Sequence, residues 1–164
     1  MFNFLRRRKD AQEKMEAMYS QKLAIPAPVR KTEGSAGYDL SIGSVQGHNG
    51  ELQVVVGPQE RIFVNTGVKV HLKDPSLVGM ITIRSSIAKR GLALSNGVGI
   101  IDSDYQGEIW LYLLNTTKFN VSVSLGERIA QLVIVRVATP ELVPVDSFSV
   151  ITDRNTKGFG STGT

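Results

Sequence analysis

The residues best equipped for chemistry stand in a few short, unusual runs. Arg84, Ser85 and Ser86 place a guanidinium fork directly before two hydroxyls, a set of donors suited to phosphate oxygens. The same three residues also suit a plainer role, a strand end starting a helical turn, since serine commonly caps helices. Asp102, Asp104 and Tyr105 stand between Gly99 and Gly107. A carboxylate in such a run can position a water and accept its proton, although a polar turn joining two strands explains the pattern equally well. If that run is a regular hairpin, Asp102 and Asp104 point to opposite faces and do not form a catalytic carboxylate pair.

Other chemistries are narrowed by what the chain lacks. Its 164 residues include no cysteine, which excludes disulfides, thiolate catalysis and cysteine-ligated metals. The two histidines, His48 and His71, have no ligand-like spacing and read as structural or solvated. Hydrophobic residues make up 41% and charged residues 21%, the balance of a soluble globular protein, and no apolar run approaches the ~20 residues that span a membrane.

The formal charge of +4 is unevenly spread. Residues 1–22 carry six basic and three acidic side chains, leaving 13 basic and 12 acidic in the rest. The excess therefore belongs to a leader and argues against a stable nucleic-acid-binding face. In that leader Phe2, Phe4 and Leu5 precede Arg6 to Lys9, the reverse of a secretory signal, so a cytoplasmic location is expected.

Several elements must position these residues. Ala11, Met15, Met18 and Tyr19 recur at helical spacing without a Gly or Pro before Pro26, which predicts a short amphipathic helix over residues 9–23. Beyond Pro26 and Pro28 the chain changes to short Val-, Ile-, Leu- and Thr-rich runs broken by turns such as Gly57-Pro58 and Asp74-Pro75. Strands are predicted near 52–56, 61–72, 78–83, 107–115, 121–123 and 128–137, making an all-β domain of sandwich, jelly-roll or barrel type. The organisation expected is a leader at 1–22, a β domain at 23–148 and a flexible, glycine-rich C-terminal lid at 149–164.

Five runs occur together in order: Ala36-Gly-Tyr-Asp-Leu40, Arg84-Ser-Ser-Ile-Ala-Lys-Arg-Gly91, Gly99-Ile-Ile-Asp-Ser-Asp-Tyr-Gln-Gly107, Gly126-Glu-Arg-Ile-Ala-Gln-Leu132, and Arg154 through Gly158-Phe-Gly-Ser-Thr-Gly163. Over residues 23–163 they resemble the trimeric dUTPase family. The resemblance implies a jelly-roll-like β-barrel and hydrolysis of dUTP to dUMP and pyrophosphate, which limits uracil in DNA and supplies dUMP for thymidylate synthesis. It implies that Asp102 is the general base, that Tyr105 packs on the deoxyribose and rejects a 2′-hydroxyl, and that Asn96 with the backbone of Gly99, Ile100 and Ile101 reads uracil.

By the same resemblance, Arg84, Ser85, Ser86 and Gln131 hold phosphates, while Arg154, Phe159, Gly160 and Ser161 close over the nucleotide. Magnesium (Mg2+) is expected as the cofactor, held mainly by the substrate's phosphates, with Asp39 near its water shell. A homotrimer with sites shared between subunits is implied, and the leader's partner stays open. Asn155 and Lys157 depart from the family, which has glycines there. A dCTP deaminase of the same fold, or a regulatory protein acting through a partner, remain as alternatives.

Overall fold

In the computed structural model of the chain, residues 15–20 and 25–156 are described. Twelve strands and one short helix follow in order among them: β1 (Glu16–Tyr19), β2 (Gly37–Ser41), β3 (Ser44–Val45), β4 (Gln53–Val56), β5 (Arg61–Asn65), β6 (Val68–His71), β7 (Leu77–Ile83), α1 (Ser85–Ala88), β8 (Leu92–Leu94), β9 (Gly99–Ile101), β10 (Trp110–Asn115), β11 (Val121–Ser124) and β12 (Arg128–Arg136). The all-β expectation holds. The strands form four separate sheets and not one closed barrel: β2-β12-β7-β9, β3-β5-β10-β8, β1-β6 and β4-β11.

Alternation explains why these runs become strands. In β10, Leu111, Leu113 and Asn115 are buried while Trp110 and Tyr112 face outward, the period-two pattern of a half-buried strand. The core that results joins Leu40, Ile42, Val64, Ile81, Ile109, Leu113, Ile129 and Leu132, all nearly sealed from solvent. Burying a side chain of this size stabilises the fold by roughly 1.5–3 kcal/mol. The nine-residue β12 runs through the middle of its sheet, antiparallel to β2 on one side and β7 on the other. Gly79 of β7 leaves room for the Leu132 and Ile101 side chains of the flanking strands, because a Cβ there would press on both.

The helix expected over residues 9–23 is not what residues 16–19 form. They make β1, paired antiparallel with β6 from Glu16 opposite His71 to Tyr19 opposite Val68. Edge pairing overrides local helix propensity here, since a four-residue stretch gains more from a ready row of N–H and C=O groups than from marginal helicity. Residues 1–14 and 21–24 lie outside the described residues. Met15 packs against the core, and Glu16 ion-pairs with Lys73.

After Arg136 the chain runs on to residue 156 without strand or helix. Large apolar side chains stand bare along this arm: Leu142 is 93% exposed, Phe148 87% and Ile151 81%. No helix among the described residues is long and apolar enough to cross a membrane.

Candidate functional site

The sheet β2-β12-β7 builds the first part of the site. Asp39 of β2 lies opposite Gln131 of β12, which in turn lies opposite Thr82 of β7, so Asp39 and Gln131 are cross-strand neighbours. Arg84 follows directly after β7, and its Nε meets Asp39 Oδ1 at 3.1 Å. The other carboxylate oxygen of Asp39 accepts from Arg128 Nη1 at 2.9 Å. A register shift between Arg128 and Ala130 interrupts the β12-β2 ladder at this point, the sort of irregularity that re-aims a side chain.

One carboxylate, with its side chain only 12% exposed, thus braces two guanidinium groups. Arg84, Ser85, Asp39 and Gln131 line one cleft of ≈ 360 Å³ together with Lys31 and Ser35. Arg84 itself occupies the N-cap of α1, so neither serine is spent on capping, and the two hydroxyls bond no described residue. Ser86 is exposed on α1 and does not line this cleft.

The second part is made from backbone. β9 pairs with the free side of β7 and not with β10, so residues 99–107 are an edge strand followed by a turn and not a regular hairpin. Asn96, Gly99, Ile100 and Ile101 line a separate cleft of ≈ 490 Å³, and the opposite wall comes from Arg61, Trp110 and Tyr112. Trp110 and Tyr112 flank Phe63 at 4.6 and 4.1 Å between ring centroids, an aromatic wall that sequence reasoning passed over. The alternation of β10 held that signal.

The turn that carries Asp102 follows β9, beside the start of β7 and away from its Arg84 end. Tyr105 N–H donates to the Asp102 carbonyl at 3.2 Å, and Leu72 N–H at the end of β6 reaches the Ser103 carbonyl at 3.4 Å. Because these residues turn and do not alternate, Asp102 and Asp104 line the same depression beside His71 and Lys73, where a regular hairpin would have set them on opposite faces. Tyr105 is pinned at both ends. Its hydroxyl donates to the Glu108 carbonyl at 2.9 Å, and its ring lies so close over Gly107 that a Cβ there would overlap it. Glu108 is held in turn by Asn65 Nδ2 at 2.6 Å.

The structure therefore brings Asp39, Arg84, Ser85 and Gln131 together, and separately Asn96 with Gly99 to Ile101. On one chain the two clefts share no lining residue. Arg154 is exposed in a terminal turn where Asn155 N–H donates to the Thr152 carbonyl at 3.0 Å. Asn155 has a φ of 44°, a left-handed backbone that asparagine tolerates better than most residues. Phe159, Gly160 and Ser161 lie outside the described residues, as does Lys157. Two cationic residues here were missed by sequence reasoning: Lys31, which lines the first cleft, and Arg128, which reaches it through Asp39 and stands inside the run from Gly126 to Leu132.

No group of three or more acidic or histidine side chains among the described residues is arranged to hold a metal. Asp39, the residue expected near one, already has both oxygens against guanidinium.

Comparison with known proteins matches a dUTPase family model to residues 24–163. The chain is 41% identical over 141 residues to the deoxyuridine 5'-triphosphate nucleotidohydrolase of Shewanella halifaxensis, covering 85% of this chain and 88% of that one. It is 43% identical, with the same coverage, to the enzyme of that name from Hahella chejuensis. Among solved structures it is similar to a variant of the dUTPase of Staphylococcus bacteriophage 80alpha determined with dUpNHpp. That match has a TM-score of 0.77 at 28% identity, over 92% of this chain and 99% of the other.

Proposed function

This chain belongs to the dUTPase family, and from that premise and the geometry above we infer that it hydrolyses dUTP to dUMP and pyrophosphate in a site assembled from more than one copy. The carrying observation is the separation of the two clefts. Donors suited to phosphate gather around Arg84 while main-chain groups suited to a base gather at β9, and on one chain no residue lines both clefts. Apposing copies brings such surfaces face to face. The bare apolar arm after Arg136 supports the same reading, because side chains like Leu142 and Phe148 need a covering surface. We take the assembly to be a homotrimer.

Within that site each residue has a task. Asp102 stands exposed on its turn as the general base: its carboxylate takes a proton from a water whose oxygen attacks the α-phosphorus, and the bond from that phosphorus to the bridging oxygen of the β-phosphate breaks. Pyrophosphate departs with the electron pair. Arg84, Ser85, Ser86 and Gln131 donate to the phosphate oxygens, the guanidinium being pre-aimed by its bond to Asp39. Preorganised donors of this kind stabilise charge as it develops.

The edge position of β9 leaves backbone groups of Gly99 to Ile101 available to pair with uracil, helped by Asn96. Cytosine presents the reverse pattern and leaves buried groups unpaired, a large penalty. Tyr105 is oriented by its hydroxyl bond to the Glu108 carbonyl and by its contact with Gly107, and serves as a wall against a 2′-hydroxyl. Arg154, Phe159, Gly160 and Ser161 supply the lid over γ-phosphate and base.

We assign Asp39 to fixing Arg84 and Arg128, because the described carboxylates do not fit a protein-held metal. Magnesium would be held by the substrate's phosphates, where it would neutralise charge and fix the triphosphate conformation. The deciding assay is pyrophosphate release from dUTP, dTTP, dCTP and UTP with and without magnesium. Rapid release from dUTP alone is expected; ammonia from dCTP, or no preference for dUTP, overturns the reading.

A further inference from the structure

Residues 30–35 make a closed turn beside the phosphate cleft. Arg30 Nε donates to the Ser35 carbonyl at 2.8 Å, and a second guanidinium nitrogen donates to the Glu33 carbonyl. Thr32 N–H donates to Ser35 Oγ at 3.0 Å, and Ser35 N–H donates to the Thr32 carbonyl at 3.1 Å. At the foot of the turn Asp39 N–H donates to the Val29 carbonyl at 3.0 Å, which ties the segment to β2. The loop is thus fixed on the strand that carries Asp39, and it sets Lys31 in the lining of the cleft with Arg84, Ser85 and Gln131.

The charges at this cleft are not equivalent. Arg84 and Arg128 share the Asp39 carboxylate, which offsets part of their attraction for an incoming anion. Arg30 commits its donors to holding the turn. Lys31 makes no ion pair with any described residue. We propose that Lys31 is a further substrate-binding residue, its ammonium contacting the polyphosphate of the nucleotide at this cleft.

A lysine suits that task. Its charge is compact, its stem adjustable, and no existing pair must break for it to meet phosphate. A contact of this kind grows with the negative charge of the ligand, so it favours the triphosphate substrate over the monophosphate product. The identity of the ligand as dUTP rests on the function proposed above. A polyphosphate-binding lysine does not, and the two can be tested apart.

The experiment compares the full-length protein with Lys31→Ala and Lys31→Arg, measuring kcat and KM for dUTP, inhibition by inorganic tripolyphosphate and by dUMP, and thermal melting. Lys31→Ala is expected to raise both KM for dUTP and the tripolyphosphate inhibition constant about three- to tenfold. In the same variant kcat, dUMP inhibition and melting temperature should stay near wild type, and Lys31→Arg should restore tight binding. Unchanged KM and tripolyphosphate inhibition overturn the proposal, as does an equal weakening of dUMP, or a lowered melting temperature that Arg does not restore. If the wild type fails to turn over dUTP while Lys31→Ala still loses tripolyphosphate in a direct calorimetric titration, the substrate assignment falls and Lys31 stands.

Discussion

The two clefts of this chain are built from opposite materials. Around Asp39 the working groups are side chains on neighbouring strands of one sheet, clamped by ion pairs to a shared carboxylate. At β9 they are main-chain groups on a sheet edge, backed by an aromatic wall. A side-chain cleft fails when one residue is replaced. A main-chain cleft tolerates many replacements and fails when the backbone, or whatever leans on it, is displaced.

The turn after β9 should give the largest effect. Asp102→Asn keeps the shape and removes the proton acceptor, so kcat for dUTP should fall on the order of 10²- to 10⁴-fold while calorimetric affinity for a non-hydrolysable analogue stays near wild type. Turnover close to wild type would remove Asp102 from the base role. Next, Arg84→Ala should lower kcat/KM roughly ten- to a hundredfold, and Arg84→Lys should recover little of it, because an ammonium cannot reproduce the fork that meets both Asp39 and phosphate. Full activity in the lysine variant would show that charge alone suffices there.

On the main-chain side, Gly107→Ala pushes a methyl into the Tyr105 ring. We expect a stability loss of about 1–3 kcal/mol, read from denaturant unfolding, and a rise in UTP turnover relative to dUTP as the wall shifts. An unchanged ratio would separate Tyr105 from sugar selection. The smallest effect should come from the chain's beginning: removal of residues 1–14 is expected to leave turnover within about twofold. Removal of residues 1–20 also takes β1 and the Met15 contact, and should lower the melting temperature.

Acid weakens the same strand pair. The Lys73 ammonium holds the Glu16 carboxyl below the usual carboxylate range, with a smaller contribution from His71. Because the folded value is the lower one, that tie is complete at neutral pH and is lost as pH falls through it.

Much of this was legible in the chain itself. Runs such as Val54 to Val56 and Ile129 to Val135 carry β-branched residues between turn signals, and they became strands where expected. The N-terminal strand was not legible, since Met15, Met18 and Tyr19 fall at helical spacing and only the distant β6 edge decides otherwise. β8 and β9 are three residues each, too short to carry a period. The donors at the first cleft could be seen as residue types, but their convergence depends on β2 meeting β12 far along the chain. Arg128 was overlooked for that reason: its partner Asp39 is brought near only by the fold. At Asn155 the structure explains a departure from the family pattern, since the left-handed backbone there gives a glycine its advantage and asparagine is the next best occupant.

The arm beyond Arg136 has one more consequence. Leu142, Phe148 and Ile151 find no cover among the described residues, and in the proposed homotrimer part of the burial that normally belongs to folding is deferred to encounter with other copies. Dilution then acts as a denaturant, and the temperature at which this protein melts should climb with its concentration, long before any nucleotide is added.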